Sequence, residues 1–154
     1  MLSTGDRAPA FELKDAAGAS VSLENLAGRR PALLAFFKAS CPVCQMTLPY
    51  LERLAAGGKL AVIGVSQDDA STAAAFNRRF GVTFPTLFDR AKDGYPASNA
   101  FGITNVPSLF LLEHDGTIGR AVMGWSKRDI EALEPVAGAK AILPGEQVAE
   151  WRAG

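Results

Sequence analysis

Apolar residues run unbroken through Ala32-Leu33-Leu34-Ala35-Phe36-Phe37, too continuous for a half-exposed strand, which predicts a central strand covered on both faces. Leu60-Ala61-Val62-Ile63-Gly64-Val65-Ser66 has the same character and predicts a second buried strand. Between them, Pro42 to about Ala56 carries Met46, Leu48, Tyr50, Leu51 and Leu54 at helical spacing and stops at Gly57-Gly58. Pro49 falls inside this helix, where it removes a backbone hydrogen bond and predicts a kink. A second helix, Ser71 to Phe80, is capped by Asp68 or Asp69 and closed by Gly81. Strand, helix, strand, helix implies parallel pairing through right-handed crossovers.

The flanks add antiparallel features. After Pro9 the apolar positions alternate as far as Asp15. A turn at Ala16-Ala17-Gly18-Ala19-Ser20 follows, and Val21 and Leu23 alternate inward again, predicting a hairpin laid on the sheet edge. Glu24 to Gly28 reads as one helical turn. Phe84 to Asp89 is a short extended piece, and Tyr95 to Phe101 a helix ended by Gly102. Val106 to Leu112 reads as a strand with Pro107 at its start, turning at Asp115-Gly116 into Ile118 to Met123. Lys127 to Leu133 supplies a last helix, and the tail from Pro135 to Gly154 has no clear pattern.

Composition narrows this picture without redirecting it. A chain of 154 residues suits one domain, 1–154, with a core over about 5–135 and an extension over 136–154. Hydrophobic residues make up 48% and charged residues 21%, so the chain is globular rather than disordered. Acidic and basic residues balance at 16 each, which gives no electrostatic case for nucleic acid or an anionic membrane. Arg29-Arg30 and Arg78-Arg79 read as solvated faces. No stretch approaches the roughly 20 apolar residues of a transmembrane helix. Met1 to Asp6 lacks the basic head and apolar run of a signal peptide. As given, the chain reads as cytoplasmic and monomeric; with an export signal removed it would be periplasmic or membrane-anchored.

The chemistry concentrates at Cys41-Pro42-Val43-Cys44, which holds both cysteines where the first buried strand becomes a helix. Pro42 suits the first helical turn, which puts Cys41 at the N-cap, facing free backbone N–H groups that favour an anion. Cys44, one turn inward, is expected to be covered. One accessible, ionisable sulfur and one shielded sulfur are what a dithiol exchange catalyst uses to attack a disulfide and then resolve the mixed disulfide. Other readings stand beside it. A structural zinc site would have to draw on His114 and carboxylates, a structural disulfide would close too short a loop to stabilise much, and two idle buried cysteines need no chemistry at all.

Taken together, Cys41-Pro42-Val43-Cys44 after a buried strand, Pro49 five residues beyond Cys44, Val106-Pro107, and Asp115-Gly116 with the following Gly124 resemble the thioredoxin-like superfamily, and within it the TlpA/ResA and AhpC/TSA-like branch. The segment from Val82-Thr83-Phe84-Pro85 to Phe101-Gly102-Ile103 looks like the helix-containing insertion of that branch. The resemblance implies an α/β thioredoxin-like fold, a central mixed β-sheet flanked by helices with an N-terminal β-hairpin and that central insertion. It also implies a cis Val106–Pro107 bond against the sulfurs, with Val106 offering backbone hydrogen bonds to substrate. By resemblance the activity is thiol:disulfide exchange without cofactor or metal, and the uncharged Pro42-Val43 pair argues against a strong oxidant and for a protein-disulfide reductase. Its partners would be a disulfide- or dithiol-containing protein and an unidentified redox donor. Cys41 and Cys44 would be catalytic, Pro42, Val43, Val106 and Pro107 would contact substrate, and Phe37, Lys38 and Ser40 would support the site.

Departures from the family pattern bear on the mechanism. Ser40 replaces the frequent tryptophan, so Phe37 is expected to cover part of the site. Ala35 replaces a buried acid, and Thr47 replaces a glutamate three residues after the second cysteine. Deprotonation of Cys44 then falls to water, to Lys38 or to a carboxylate from elsewhere in the chain. A peroxiredoxin-like peroxidase would have threonine where Lys38 stands. A Sco-like copper-binding role would need a histidine, and His114 reads as a surface turn residue instead.

Overall fold

The structure, a computed structural model, describes residues 1–154 apart from the side chain of Ala27. In chain order, the first half contains β1 (Glu12–Asp15), β2 (Ser20–Ser22), α1 (Leu23–Ala27), β3 (Ala32–Phe37), α2 (Pro42–Ala55), β4 (Ala61–Ser66) and α3 (Ala70–Phe80). The second half contains β5 (Thr86–Phe88), a 3-10 turn at Ala91–Asp93, α4 (Pro96–Phe101), β6 (Ser108–Leu112), β7 (Ile118–Met123), β8 (Trp125–Ser126), α5 (Lys127–Ala137) and β9 (Trp151–Arg152).

The two apolar runs become the middle of a seven-stranded sheet with the order β2-β1-β5-β4-β3-β6-β7. β3 pairs parallel with β4, and β4 with β5, as the strand–helix alternation requires. β6 runs antiparallel to β3, β7 antiparallel to β6, and the N-terminal hairpin joins antiparallel to β5. The fold is therefore the expected α/β mixed sheet with an edge hairpin. Alternate residues of β3 face opposite layers. Leu33, Ala35 and Phe37 share a core with Leu48, Leu51, Leu54, Phe76 and Leu133, under α2, α3 and α5. Ala32, Leu34 and Phe36 face Phe101 and Phe110 on the other side. There the Phe36 and Phe101 rings are 5.4 Å apart and those of Phe101 and Phe110 4.8 Å, and each fully buried ring contributes about 1.5–3 kcal/mol.

Several boundaries differ from the pattern-based expectation. Leu23 opens α1 instead of closing the hairpin, because the Ser22 side chain accepts the Asn25 N–H while Asn25 returns the contact to the Ser22 N–H. Of the two candidates, Asp69 caps α3 through the Thr72 N–H at 2.8 Å. α5 runs through Pro135 to Ala137, past the expected end at Leu133, whereas α2 is one helix with Pro49 inside it, as expected. The unpatterned tail turns out to be packed. The nearly buried Glu134 carboxylate accepts the N–H groups of Ala141 and Ile142, and Trp125 Nε1 donates to the Ala149 carbonyl at 2.6 Å. β9 then pairs antiparallel with β8. Among the described residues no helix is long and apolar enough to cross a membrane.

The insertion is held by one buried acid. Asp89, with no exposed surface, accepts the N–H groups of Ala97 at 2.8 Å and Ser98 at 2.7 Å, and the Ser98 hydroxyl. It thereby satisfies the first turn of α4, which would otherwise leave its donors unpaired. Asp89→Ala is expected to lower unfolding stability in urea titration by about 3 kcal/mol, the loss of hydrogen bonds to a charged group, whereas Ser98→Ala should cost about 1 kcal/mol.

Candidate active site

β3 ends at Phe37 and Pro42 opens α2, so the four residues between them, Lys38, Ala39, Ser40 and Cys41, form a short connection at one end of the sheet. Cys41 is the N-cap, with extended backbone at φ −87° and ψ 114°, and Pro42 occupies the first turn as the sequence predicts. The Cys41 sulfur accepts the Cys44 N–H at 3.2 Å, the place an N-cap oxygen takes in an ordinary helix. On its other side it donates to the Val106 carbonyl at 3.3 Å. Both cysteines are free thiols, Cys41 half-buried and Cys44 with no exposed surface.

Burial, and after it the neighbouring Cys41 sulfur, push the Cys44 thiol far above the ordinary cysteine range, and the negative charge of Asp68 acts in the same direction. Cys44 therefore holds its proton at neutral pH. Thr47 lies one turn further along the same helical face, fully buried, with a hydroxyl that has no hydrogen-bond partner among the described residues.

The connection before Cys41 is clamped from two directions. The Asp68 carboxylate accepts the Ala39 N–H at 2.7 Å, and Gln45 Nε2 donates to the Ala39 carbonyl at 2.9 Å. Asp68 follows the end of β4, the strand beside β3, and sequence reading did not bring it to this site. The available signal was topological: in a parallel pair the residues after both strands emerge at the same end of the sheet. The Gln67 N–H donates to the Phe37 carbonyl at 3.1 Å, tying the same two strand ends together.

A groove of about 440 Å³ runs past Cys41, walled by Lys38, Pro42, Gln67, Thr104, Val106 and Gly154. The Val106–Pro107 peptide is cis, as expected, and Val106 lines the groove. Lys38 and Ser40 are exposed, and Ser40 leaves the sulfur without an aromatic neighbour in sequence. Two residues sit differently from expectation. Phe37 does not line the groove: it is wholly inside, its ring tilted against Phe76 at 5.1 Å in the layer that holds Cys44. Val43 is half-buried against that core and does not line the groove. His114 follows the far end of β6 from Pro107, roughly 16 Å along the strand, and the fold does not bring it to the cysteines. A larger cleft of about 560 Å³ lies by Arg30, Glu52 and Phe84, away from the sulfurs, and its Glu52 carboxylate is taken up by the Thr83 and Phe84 N–H groups.

This geometry has clear relatives. The AhpC/TSA family pattern matches residues 4–121. A Mycobacterium tuberculosis protein with a provisional peroxiredoxin name is 33% identical over 129 residues, covering 76% of this chain and 82% of its own. The thiol-disulfide oxidoreductase ResA of Geobacillus thermodenitrificans is 28% identical over 144 residues, covering 87% of this chain and 80% of its own. Among solved structures, the thioredoxin domain of the thiol-disulfide oxidoreductase BVU-2223 from Bacteroides vulgatus superposes with a TM-score of 0.76 over 89% of this chain and 99% of that domain, at 24% identity, a likeness of fold. With a mixed sheet of this order, a Cys-x-x-Cys pair at the mouth of its central helix and a family match over most of its length, the chain is a thioredoxin-like oxidoreductase belonging to the AhpC/TSA family.

Proposed function

We propose that the protein reduces protein disulfides through Cys41 and Cys44. The observation that supports this most is the asymmetry of the pair: one half-exposed sulfur on a groove, capped by a helix N–H, and one fully buried sulfur a turn behind it. The Cys41 thiolate attacks one sulfur of the substrate disulfide. That S–S bond breaks, the departing thiolate takes a proton from water, and Cys41 is left in a mixed disulfide. Cys44 then loses its proton and attacks the Cys41 sulfur, expelling the second substrate thiolate, which is protonated in turn. Two electrons pass to the substrate, and a Cys41–Cys44 disulfide remains for a dithiol donor to reduce.

How the reduced state is treated supports the reductase direction. A strong oxidant stabilises its reduced form, chiefly as a thiolate. Here Pro42 and Val43 bring no charge, and burial opposes ionisation at Cys44. The charge of Asp68, just past the end of β4, reaches Cys44, and this reading assigns the resolving proton to that carboxylate or to water.

The peroxidase alternative draws on the mycobacterial relative. It would use Cys41 against a peroxide, yet Lys38 stands where the peroxiredoxin-like pattern has threonine. A copper-binding role is not favoured, since His114 lies remote from both thiols.

Cys41→Ser should lower insulin-disulfide reduction by at least about a hundredfold, and Cys44→Ser should accumulate the mixed disulfide on non-reducing gels. Peroxide turnover that survives Cys44→Ser while insulin reduction is absent in the unaltered protein would overturn the reductase assignment in favour of the peroxidase. The midpoint potential of the pair should lie closer to the ~−270 mV of thioredoxin than to the ~−120 mV of strong oxidants, by titration against glutathione or dithiothreitol.

Burial of Cys44 also sets a pH dependence. In the unfolded chain a cysteine ionises near pH ~8.5, while in the folded protein Cys44 keeps its proton well above that. The folded state then binds more protons, so stability is fully present below that pH and falls as pH rises through the alkaline range. Between pH ~8 and ~10 the reduced protein should lose about 2 kcal/mol more than Cys44→Ala does, as read from urea unfolding.

A further inference from the structure

The tail returns to the groove. Gly154 forms part of the wall beside Cys41, and Asn105 Nδ2 donates to the Gly154 carbonyl at 3.5 Å. The approach to Val106 is so close that a Cβ built on Gly154 would fall 2.9 Å from the Val106 carbonyl carbon and closer still to its oxygen. One strand back, Trp125 pairs with Arg152 and Ser126 with Trp151. Gly124, at φ +74°, lets the Arg152 carbonyl pass where a side chain would stand. The segment is thus seated by a short ladder, a glycine-cleared crossing and a contact on the cis-proline loop, yet residues 151–154 are exposed on their outer side.

We propose that residues 151–154 form a strap that decides which disulfides reach Cys41. The proposal rests on the reading of Cys41 as the attacking thiol of this groove. An extended polypeptide bringing a sulfur to Cys41 would lay its backbone along Asn105 and Val106, the edge that Gly154 covers. A compact disulfide needs only the opening between Lys38, Pro42 and Gln67. The strap therefore admits small disulfides directly and polypeptide strands only after it lifts, which lowers apparent affinity for the polypeptide by the fraction of time the edge is free. No bond is made or broken in lifting it beyond hydrogen bonds that water replaces.

The test compares the unaltered chain with Gly154→Val, which drives a side chain into the Val106 carbonyl, and Arg152→Pro, which breaks β9 at a different atom. Alkylation of reduced Cys41 is followed by peptide mapping, once with iodoacetamide and once with a bromoacetyl-capped extended hexapeptide. In both variants the hexapeptide rate should rise about fivefold or more, the return for removing a contact of one hydrogen bond's strength, with the iodoacetamide rate held within about twofold. A hexapeptide rate that stays level or falls overturns the strap, and so does an equal rise with both reagents, which would mean a generally loosened site. Insulin reduction in the same proteins separates this from the reductase reading: selective alkylation with no insulin turnover in any of them would sink the reductase and leave the strap in place.

Discussion

The N–H of Cys44 points at the sulfur of Cys41 from 3.2 Å, and much of the sheet serves to keep that donor where it is. A helix N-terminus offers unpaired donors wherever it ends, but they act on one chosen atom only if the helix cannot slide or fray. Leu48, Leu51 and Leu54 fix α2 on the face of β3 and β4, and Pro42 removes a donor that would have had no partner. The connection from β3 is short and clamped at Ala39 by Asp68 and Gln45. Cys41 is therefore held at a rigid junction instead of on a mobile loop, and the difference in exposure between the two thiols follows from one turn of helix.

Much of this was legible from hydrophobic pattern alone, because burial on both faces leaves an uninterrupted apolar run and two such runs, at Ala32 to Phe37 and Ala61 to Ser66, define the sheet's centre. The cysteine pair and its place at the helix mouth were equally readable, since Pro42 marks the first turn. What escaped detection depends on contacts between distant residues. Pro135 reads as a helix end, yet its exposed position lets water satisfy the carbonyl it strands, and α5 continues to Ala137. Glu134 looks like a surface acid until Ala141 and Ile142 fold back onto it. Phe37 was expected over the thiols because Ser40 leaves room there, but its side of β3 faces the inner layer and Phe76.

Proton handling illustrates how the same scaffold can be rewired. Family members place acids on the strand before the motif or on the helix after it, and here those positions are Ala35 and Thr47. Asp68, just past the end of the adjoining strand β4, secures the Ala39 N–H, and its negative charge acts on Cys44. One side chain thus couples the shape of the connection to the ionisation of the thiol behind it. The tail adds a comparable economy, since residues that close the hydrophobic layer beneath α5 end on the rim of the groove.

The chain's two tryptophans report on separate events as a result. Trp125 is sealed inside, 4.9 Å from the Tyr50 ring, while Trp151 on the adjoining strand is 60% exposed. Indole emission shifts with solvation, so the blue component follows the core and the red component follows the outer strand. The molecule carries its own two-channel fluorescent readout, one for global melting and one for local detachment near the thiols, with no label added.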